Sequence, residues 1–416
     1  MTNALTWTFL GALAAATATR LWLARRQVAH VRAHRSAVPP GFAGSIPLSA
    51  HQKAADYTVA KARLGTADVL LGAAVLLALT LGGLLAWLSE RWATVFAPGG
   101  LAHGTALVAS VGVLLAVLEL PLSIVRTFGV EARFGFNRVT PALFAADLAK
   151  QALLGAALGL PLVVLVLWLM QRMGAAWWLY VWLAWIGFNV AVLFLYPTLI
   201  APLFNRFTPL DDPALAERIR ALLGRCGFRS SGLFVMDGSR RSAHGNAYFS
   251  GFGTAKRIVF FDTLLARLAP AEVEAVLAHE LGHYRRHHVW KRIALLFGLS
   301  LTLLWLLGQL IDQPWFYDGL RAGPPGAATG LLLFVLVTPV FTFFLHPLTS
   351  LYSRRHEFEA DAYAASHASA AALVKALVKL YQDNAATLTP DPLHSAFYDS
   401  HPPAALRIAR LQAGAT

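Results

Sequence analysis

Seven stretches of the chain stay apolar for about the 20 residues that a helix needs to cross a bilayer. They fall near residues 4–19, 69–88, 104–125, 152–171, 176–196, 293–311 and 327–345. The first is the shortest, and its basic residues, Arg20, Arg25 and Arg26, come after it. That order argues for a retained anchor and against a cleaved signal peptide. The third stretch carries Glu119 and Pro121. A carboxylate at membrane depth is costly, so Glu119 is expected to face the bundle interior or water.

Between and after these stretches the pattern changes. Residues 197–292 contain short apolar runs at Leu233–Met236, Ala247–Phe252 and Ile258–Phe261, bounded by turn residues. They predict a small sheet. Residues 346–416 predict helices, with one periodic run over Ala362–Tyr381 ahead of Pro390 and Pro392. The chain thus divides into five N-terminal spans with their loops (1–196), a mixed segment (197–292), spans six and seven (293–345) and a helical tail (346–416).

Composition fits this picture. Of 416 residues 57% are hydrophobic and 14% charged, where a soluble protein has roughly 25% charged. So low a charge density excludes a disordered polycation and argues against nucleic acid as a partner, despite the net charge of +13. The lipid bilayer is the expected environment. With the N-terminus outside, the inside segments hold 32 Lys and Arg against Arg91, Arg172 and Arg321 outside. The positive-inside rule therefore predicts N-terminus out and C-terminus in the cytoplasm. Arginine outnumbers lysine 28 to 7, which reads as a GC-rich, bacterial coding sequence; with the spans, the expected location is then a bacterial inner membrane. A single cysteine, Cys226, excludes disulfides and a cysteine-based zinc site.

The chemistry is concentrated at His279-Glu280-Leu281-Gly282-His283. On a helix, histidines four apart share a face and can bind one zinc ion, with the intervening glutamate placed as general base. Pro270 suits the first turn of such a helix, and Glu272 and Glu274 suit its positive end. The helix is expected to run unbroken from Pro270 into the sixth span, which sets the metal near the membrane boundary. His283 and His287 are also four apart, but two arginines lie between them and no carboxylate does. Arg285, Arg286, His287, His288, Lys291 and Arg292 read instead as a belt at the inside face.

A catalytic zinc needs a third protein ligand. Glu357 and Asp361 share a helical face just inside the seventh span, and Glu359 points largely the other way. The spacing suggests Glu357 as ligand, with Asp361 orienting a ligand histidine. A charged cap on a solvated helix accounts for the same spacing equally well.

With these residues assembled, the chain resembles the integral-membrane CAAX prenyl endopeptidases of the zinc metalloprotease type. The resemblance extends over nearly the whole chain. It rests on the seven-span plan, on Glu131-Ala132-Arg133-Phe134-Gly135-Phe136-Asn137 and on Tyr196-Pro197-Thr198-Leu199-Ile200-Ala201-Pro202-Leu203-Phe204. It continues through Asn246-Ala247-Tyr248-Phe249, Arg257-Ile258-Val259-Phe260-Phe261-Asp262 and the His279–His283 motif. It ends with Glu357 to Asp361 and with Ser400-His401-Pro402-Pro403 followed by Arg407.

The resemblance implies a mainly α, polytopic membrane fold. Seven transmembrane helices would enclose a water-filled chamber, joined to a small α+β, gluzincin-like metalloprotease portion. It implies one Zn²⁺ held by His279, His283 and Glu357, with Asp361 and Arg407 behind the ligands. Asn246 would hold the substrate backbone, and His401 would stabilise the tetrahedral intermediate. The implied activity is hydrolysis of peptide bonds near the C-termini of prenylated proteins. A membrane quality-control zinc protease acting on misfolded or other peptides is an alternative with the same chemistry. A seven-span transporter or receptor with a decayed motif is a third, and the intact Glu280 argues against it.

Overall fold

A computed structural model describes residues 2–250 and 257–413. The long apolar runs form helices. Among the described residues six are long and apolar enough to cross a membrane: Leu48–Leu79, Leu101–Glu131, Pro141–Arg172, Gly174–Phe204, His288–Leu310 and Ala327–His367. Large apolar side chains such as Val113, Leu153 and Trp305 are exposed on these helices, as suits helices surrounded by lipid. The first stretch lies in a longer helix, Ala4–Ala33, outside those six. Inside the bundle, Phe9, Leu107, Leu167, Leu307, Tyr317 and Leu333 pack into one core.

Three expectations about continuity fail. The run expected over 69–88 belongs to a helix that starts at Leu48 and stops at Leu79; a separate helix covers Leu84–Ala93. Gly82 and Gly83 end it. Gly82 N–H donates to the Leu77 carbonyl at 2.8 Å, and Gly83 takes the left-handed conformation that glycine tolerates. The helix expected to run from Pro270 through the sixth span also breaks. One helix spans Pro270–Arg285 and the next His288–Leu310, with His287 between them at φ 57°. A left-handed non-glycine residue costs about 1–2 kcal/mol, so the surrounding packing must fix this turn. The periodic run over 362–381 is likewise divided, into His346–His367 and Ala370–Asp383. Ser369 caps the second of these by accepting from Ala372 N–H at 3.2 Å.

The expected sheet is present and has one extra strand. Strands β1 (Phe207–Pro209), β2 (Gly232–Met236), β3 (Ala247–Ser250) and β4 (Arg257–Phe261) lie in the order β1-β2-β4-β3. Strand β2 runs parallel to β4, and the other pairs are antiparallel. The end of the run predicted over 247–252 lies outside the described residues. Strand β3 is an edge strand. The buried faces of β4 and the helices join Ile219, Leu222, Ile258, Phe260, Ala275 and Leu281 in a second core, separate from the membrane helices.

The segment ahead of β3 is clasped from two sides. Phe136 stacks on His244 at 4.4 Å and its carbonyl accepts from Ala243 N–H; Arg241 pairs with Asp147 at 2.8 Å. From the other side Asn384 Oδ1 accepts from Gly245 N–H at 3.3 Å and meets His244 Nδ1 at 3.1 Å. This clasp fixes where Asn246 emerges.

Candidate metal centre

The helix Pro270–Arg285 begins as its sequence dictates, with proline in the first turn and Ala269 N–H donating to Glu272 at 2.8 Å. Its acidic residues also anchor it laterally. Glu272 pairs with Lys379 at 2.7 Å, and Glu274 accepts from Arg218 at 2.5 Å and Arg225 at 2.6 Å. The helix packs across Gly282 onto the helix His346–His367. A Cβ on Gly282 would lie 2.9 Å from the Ala360 Cα and 3.1 Å from the Ala360 carbonyl oxygen. Only glycine allows the two backbones this close.

That approach brings three potential ligands together. His279 Nε2 and His283 Nε2 are 3.2 Å apart. Glu357 reaches His283 Nε2 through Oε1 at 3.2 Å and His279 Nε2 through Oε2 at 3.5 Å. Donors held about 2.0–2.1 Å from a tetrahedral zinc stand roughly 3.3 Å from one another. One ligand atom from each residue lies within 4.8 Å of the others, with each Glu357 oxygen facing a different histidine, so the donor set suits such an ion. Glu357 Oε2 is buried and accepts no hydrogen bond among the described residues; the buried Arg407 Nη1 faces it at 3.5 Å.

Behind the ligands, His279 Nδ1 meets Asp361 Oδ1 at 2.8 Å. Arg407 grips Asp361 with two bonds, Nε to Oδ2 at 2.8 Å and Nη2 to Oδ1 at 2.6 Å. All three residues are buried. Burial opposes charge on the His279 ring, yet the Asp361 and Glu357 carboxylates outweigh it and hold the ring at about 9. Two carboxylates against the one Arg407 guanidinium leave the buried cluster net negative, which suits a bound cation.

Glu280, Asn246 and His401 border one cavity of 250 Å³ together with His279 and Arg407. Burial pushes the Glu280 carboxyl above its ordinary value and the His401 imidazole below its own. His401 Nε2 stands 3.4 Å from Glu357 Oε1, and its Nδ1 meets Ser400 Oγ at 3.0 Å. The Asn246 side chain accepts from Ala247 N–H at 2.8 Å. A larger cavity of 720 Å³ adjoins the site and shares Tyr381, Ala386 and His401 with it. A third, of 330 Å³ among the membrane helices, shares Arg20 and Asp68 with the second and has Glu119 on its wall. Glu119 thus faces the interior, where Arg126 pairs with it at 3.4 Å.

All eight residues singled out from the sequence converge on this region. One reading is overturned. His288 does not belong to the basic belt read at the inside face. It is 4% exposed, its Nδ1 lies 3.0 Å from His283 Nδ1, and its Nε2 lies 3.0 Å from Glu359 Oε2. Glu359 stays off the ligand face but binds this second histidine. The break at His287 turns the ring inward, and no local sequence signal announces a left-handed histidine. His244 and Asn384, which fix the turn before Asn246, were also missed, since they act through contacts 140 residues apart.

Comparison with known proteins gives the family. Residues 27–206 match the family described as CAAX prenyl protease N-terminal, five membrane helices, and residues 209–415 match peptidase family M48. The chain is 37% identical over 318 residues to the CAAX prenyl protease 1 homolog of Oryza sativa subsp. japonica, covering 74% of this chain and 73% of that one. It is 31% identical over 336 residues to the CAAX prenyl protease 1 homolog of Homo sapiens, covering 71% of each. The crystal structure of S. mikatae Ste24p superposes with a TM-score of 0.90 at 28% identity, over 99% of both chains. The chain is a multi-pass integral membrane protease, and it belongs to peptidase family M48.

Proposed function

We propose that this protein is a zinc metalloendopeptidase that cuts peptide bonds near the C-termini of prenylated proteins inside a chamber walled by seven membrane helices. The observation that carries the reading is the His279, His283 and Glu357 cluster, with Glu280 and His401 on the wall of the same cavity. The helix Ala4–Ala33 serves as the seventh span; Leu13, Ala16 and Arg20 on it line the hollow among the membrane helices. The positive-inside bias supports a C-terminus, and with it the site, on the cytoplasmic face of a bacterial inner membrane. A glutamate, Glu357, as third ligand and the sheet beside the motif helix support a gluzincin-like peptidase portion.

His279, His283 and Glu357 would hold a zinc ion, which would supply a Lewis acid and lower the pKa of bound water from 15.7 to about 7. Glu280 has no hydrogen bond or ion pair among the described residues, and burial raises its pKa, the direction that strengthens a carboxylate as a base. It takes the proton from the attacking water and returns it to the leaving amine. His401, kept neutral by burial, can donate a hydrogen bond where negative charge develops on the scissile carbonyl oxygen. The open edge of β3 can pair with an extended substrate backbone, and Asn246 at its start holds that backbone beside the ligands. Asp361 holds the His279 ring through Nδ1, and Arg407 holds Asp361.

The direct test is cleavage, by detergent-purified protein, of a peptide whose cysteine is prenylated and followed by three residues. The expected result is release of the C-terminal tripeptide by wild type and none by Glu280→Gln. Equal turnover of the unprenylated peptide would favour a broader membrane protease. No cleavage of any peptide by zinc-loaded protein would contradict the reading.

A further inference from the structure

The two histidines of the motif do not lean on the same support. His279 presents its Nδ1 directly to Asp361. His283 presents its Nδ1 to another histidine, His288, which in turn meets Glu359. We propose that His288 and Glu359 are positioning residues that hold His283 in the one tautomer able to ligate zinc through Nε2. This rests on the zinc-peptidase reading above.

The hydrogen bonds fix the direction of the relay. Nε2 of His283 faces His279 and Glu357, so ligation leaves a lone pair there and puts the proton on Nδ1. That proton is donated to His288 Nδ1. A neutral His288 then carries its own proton on Nε2 and donates it to the Glu359 carboxylate. Every donor meets an acceptor along this chain. The reverse direction would place a proton on Nε2 of His283 and remove it as a ligand. Arg355 Nε donates to Glu359 Oε1 at 3.1 Å, and His356 stacks on the His288 ring at 3.9 Å with the planes 9° apart. These contacts keep both relay members in place. Each ligand histidine is therefore backed by a carboxylate that is itself backed by an arginine, with one extra imidazole on the His283 side.

The backbone break makes the relay possible. On an unbroken helix, residues five apart point roughly 140° away from each other. The left-handed His287 redirects the chain so that the ring of His288 returns to His283. His288 is also the first residue of the membrane helix His288–Leu310. The relay therefore ties that helix to the ligand cluster.

The test measures zinc affinity by competition with a chelator, in detergent, on the full chain. His288→Phe keeps a ring to stack on His356 but has no acceptor for His283. It is expected to weaken zinc binding about 10–100-fold. His288→Gln offers an acceptor to His283 and a donor to Glu359, and is expected to restore most of the affinity. Rescue by Gln separates a hydrogen-bond role from mere packing. Wild-type affinity in His288→Phe, or equal loss in both variants, would overturn the relay. If His288→Phe does not fold, Glu359→Leu carries the test alone. Weakened zinc binding with an unchanged apo-protein melting temperature supports the relay, and wild-type affinity overturns it. Wild-type protein that takes up no stoichiometric zinc would overturn the zinc reading, and the relay with it.

Discussion

On one side of the ligand cluster, His279, Asp361 and Arg407 form a buried chain in which each partner touches the next directly. On the other, His283, His288, Glu359 and Arg355 form a longer chain that ends in solvent, where the Arg355 side chain is 78% exposed. Both chains present an Nε2 to the same point. They differ in what happens when a member is lost. A charge removed from the buried side strands its partner away from water; a charge removed at the rim is replaced by water. The site should therefore be brittle on the Asp361 side and forgiving at the end of the other.

Predictions follow from that asymmetry. Glu280→Gln touches neither support and sets the upper bound for loss of function. Turnover should fall by about 10²–10⁴-fold while zinc content, measured on the same preparation, stays unchanged. Asp361→Ala leaves the buried Arg407 only its longer 3.5 Å pairing with Glu357 and should cost about 3 kcal/mol, seen as a drop in melting temperature in detergent. Gly282→Ala strikes both sides at once, because a Cβ would press on the Ala360 backbone. A loss of about 1–3 kcal/mol is expected from such overpacking, together with weaker zinc binding. The His279 side should also dominate the pH dependence. Its ring is held at about 9 and must lose that proton to ligate. Apparent zinc affinity should thus rise with pH from 6 to 8 by up to tenfold per unit and level off above 9. Arg355→Ala, at the exposed end, should change stability by no more than about 0.5 kcal/mol. A cost for Arg355→Ala equal to that of Asp361→Ala would erase the comparison.

The ordering of these effects mirrors what could be read in advance. His279, Glu280 and His283 announce themselves because a helix converts their spacing into one face. Glu357 and Asp361 share a face for the same reason, but spacing alone could not distinguish a ligand pair from a solvated cap. It is the close approach at Gly282 that brings Glu357 to the histidines, and the sequence does not reveal which helices will meet. The long apolar runs were legible as helices, whereas their interruptions were not. Gly82-Gly83 gave a local hint in hindsight. His287 gave none, since a left-handed histidine is imposed by packing rather than by preference. From that one unread turn came the misreading of His288, whose basic neighbours suggested the membrane surface. The requirement that a ligand histidine satisfy its second ring nitrogen could have flagged it.

The central claim is that His279, His283 and Glu357 hold one zinc ion on which hydrolysis depends. It is tested most directly by elemental analysis of purified wild type beside Glu357→Ala, each assayed for peptide cleavage. The account predicts about one zinc per wild-type chain, with zinc and cleavage lost together in Glu357→Ala. Full zinc occupancy in Glu357→Ala, or cleavage by wild type stripped of zinc, would contradict it.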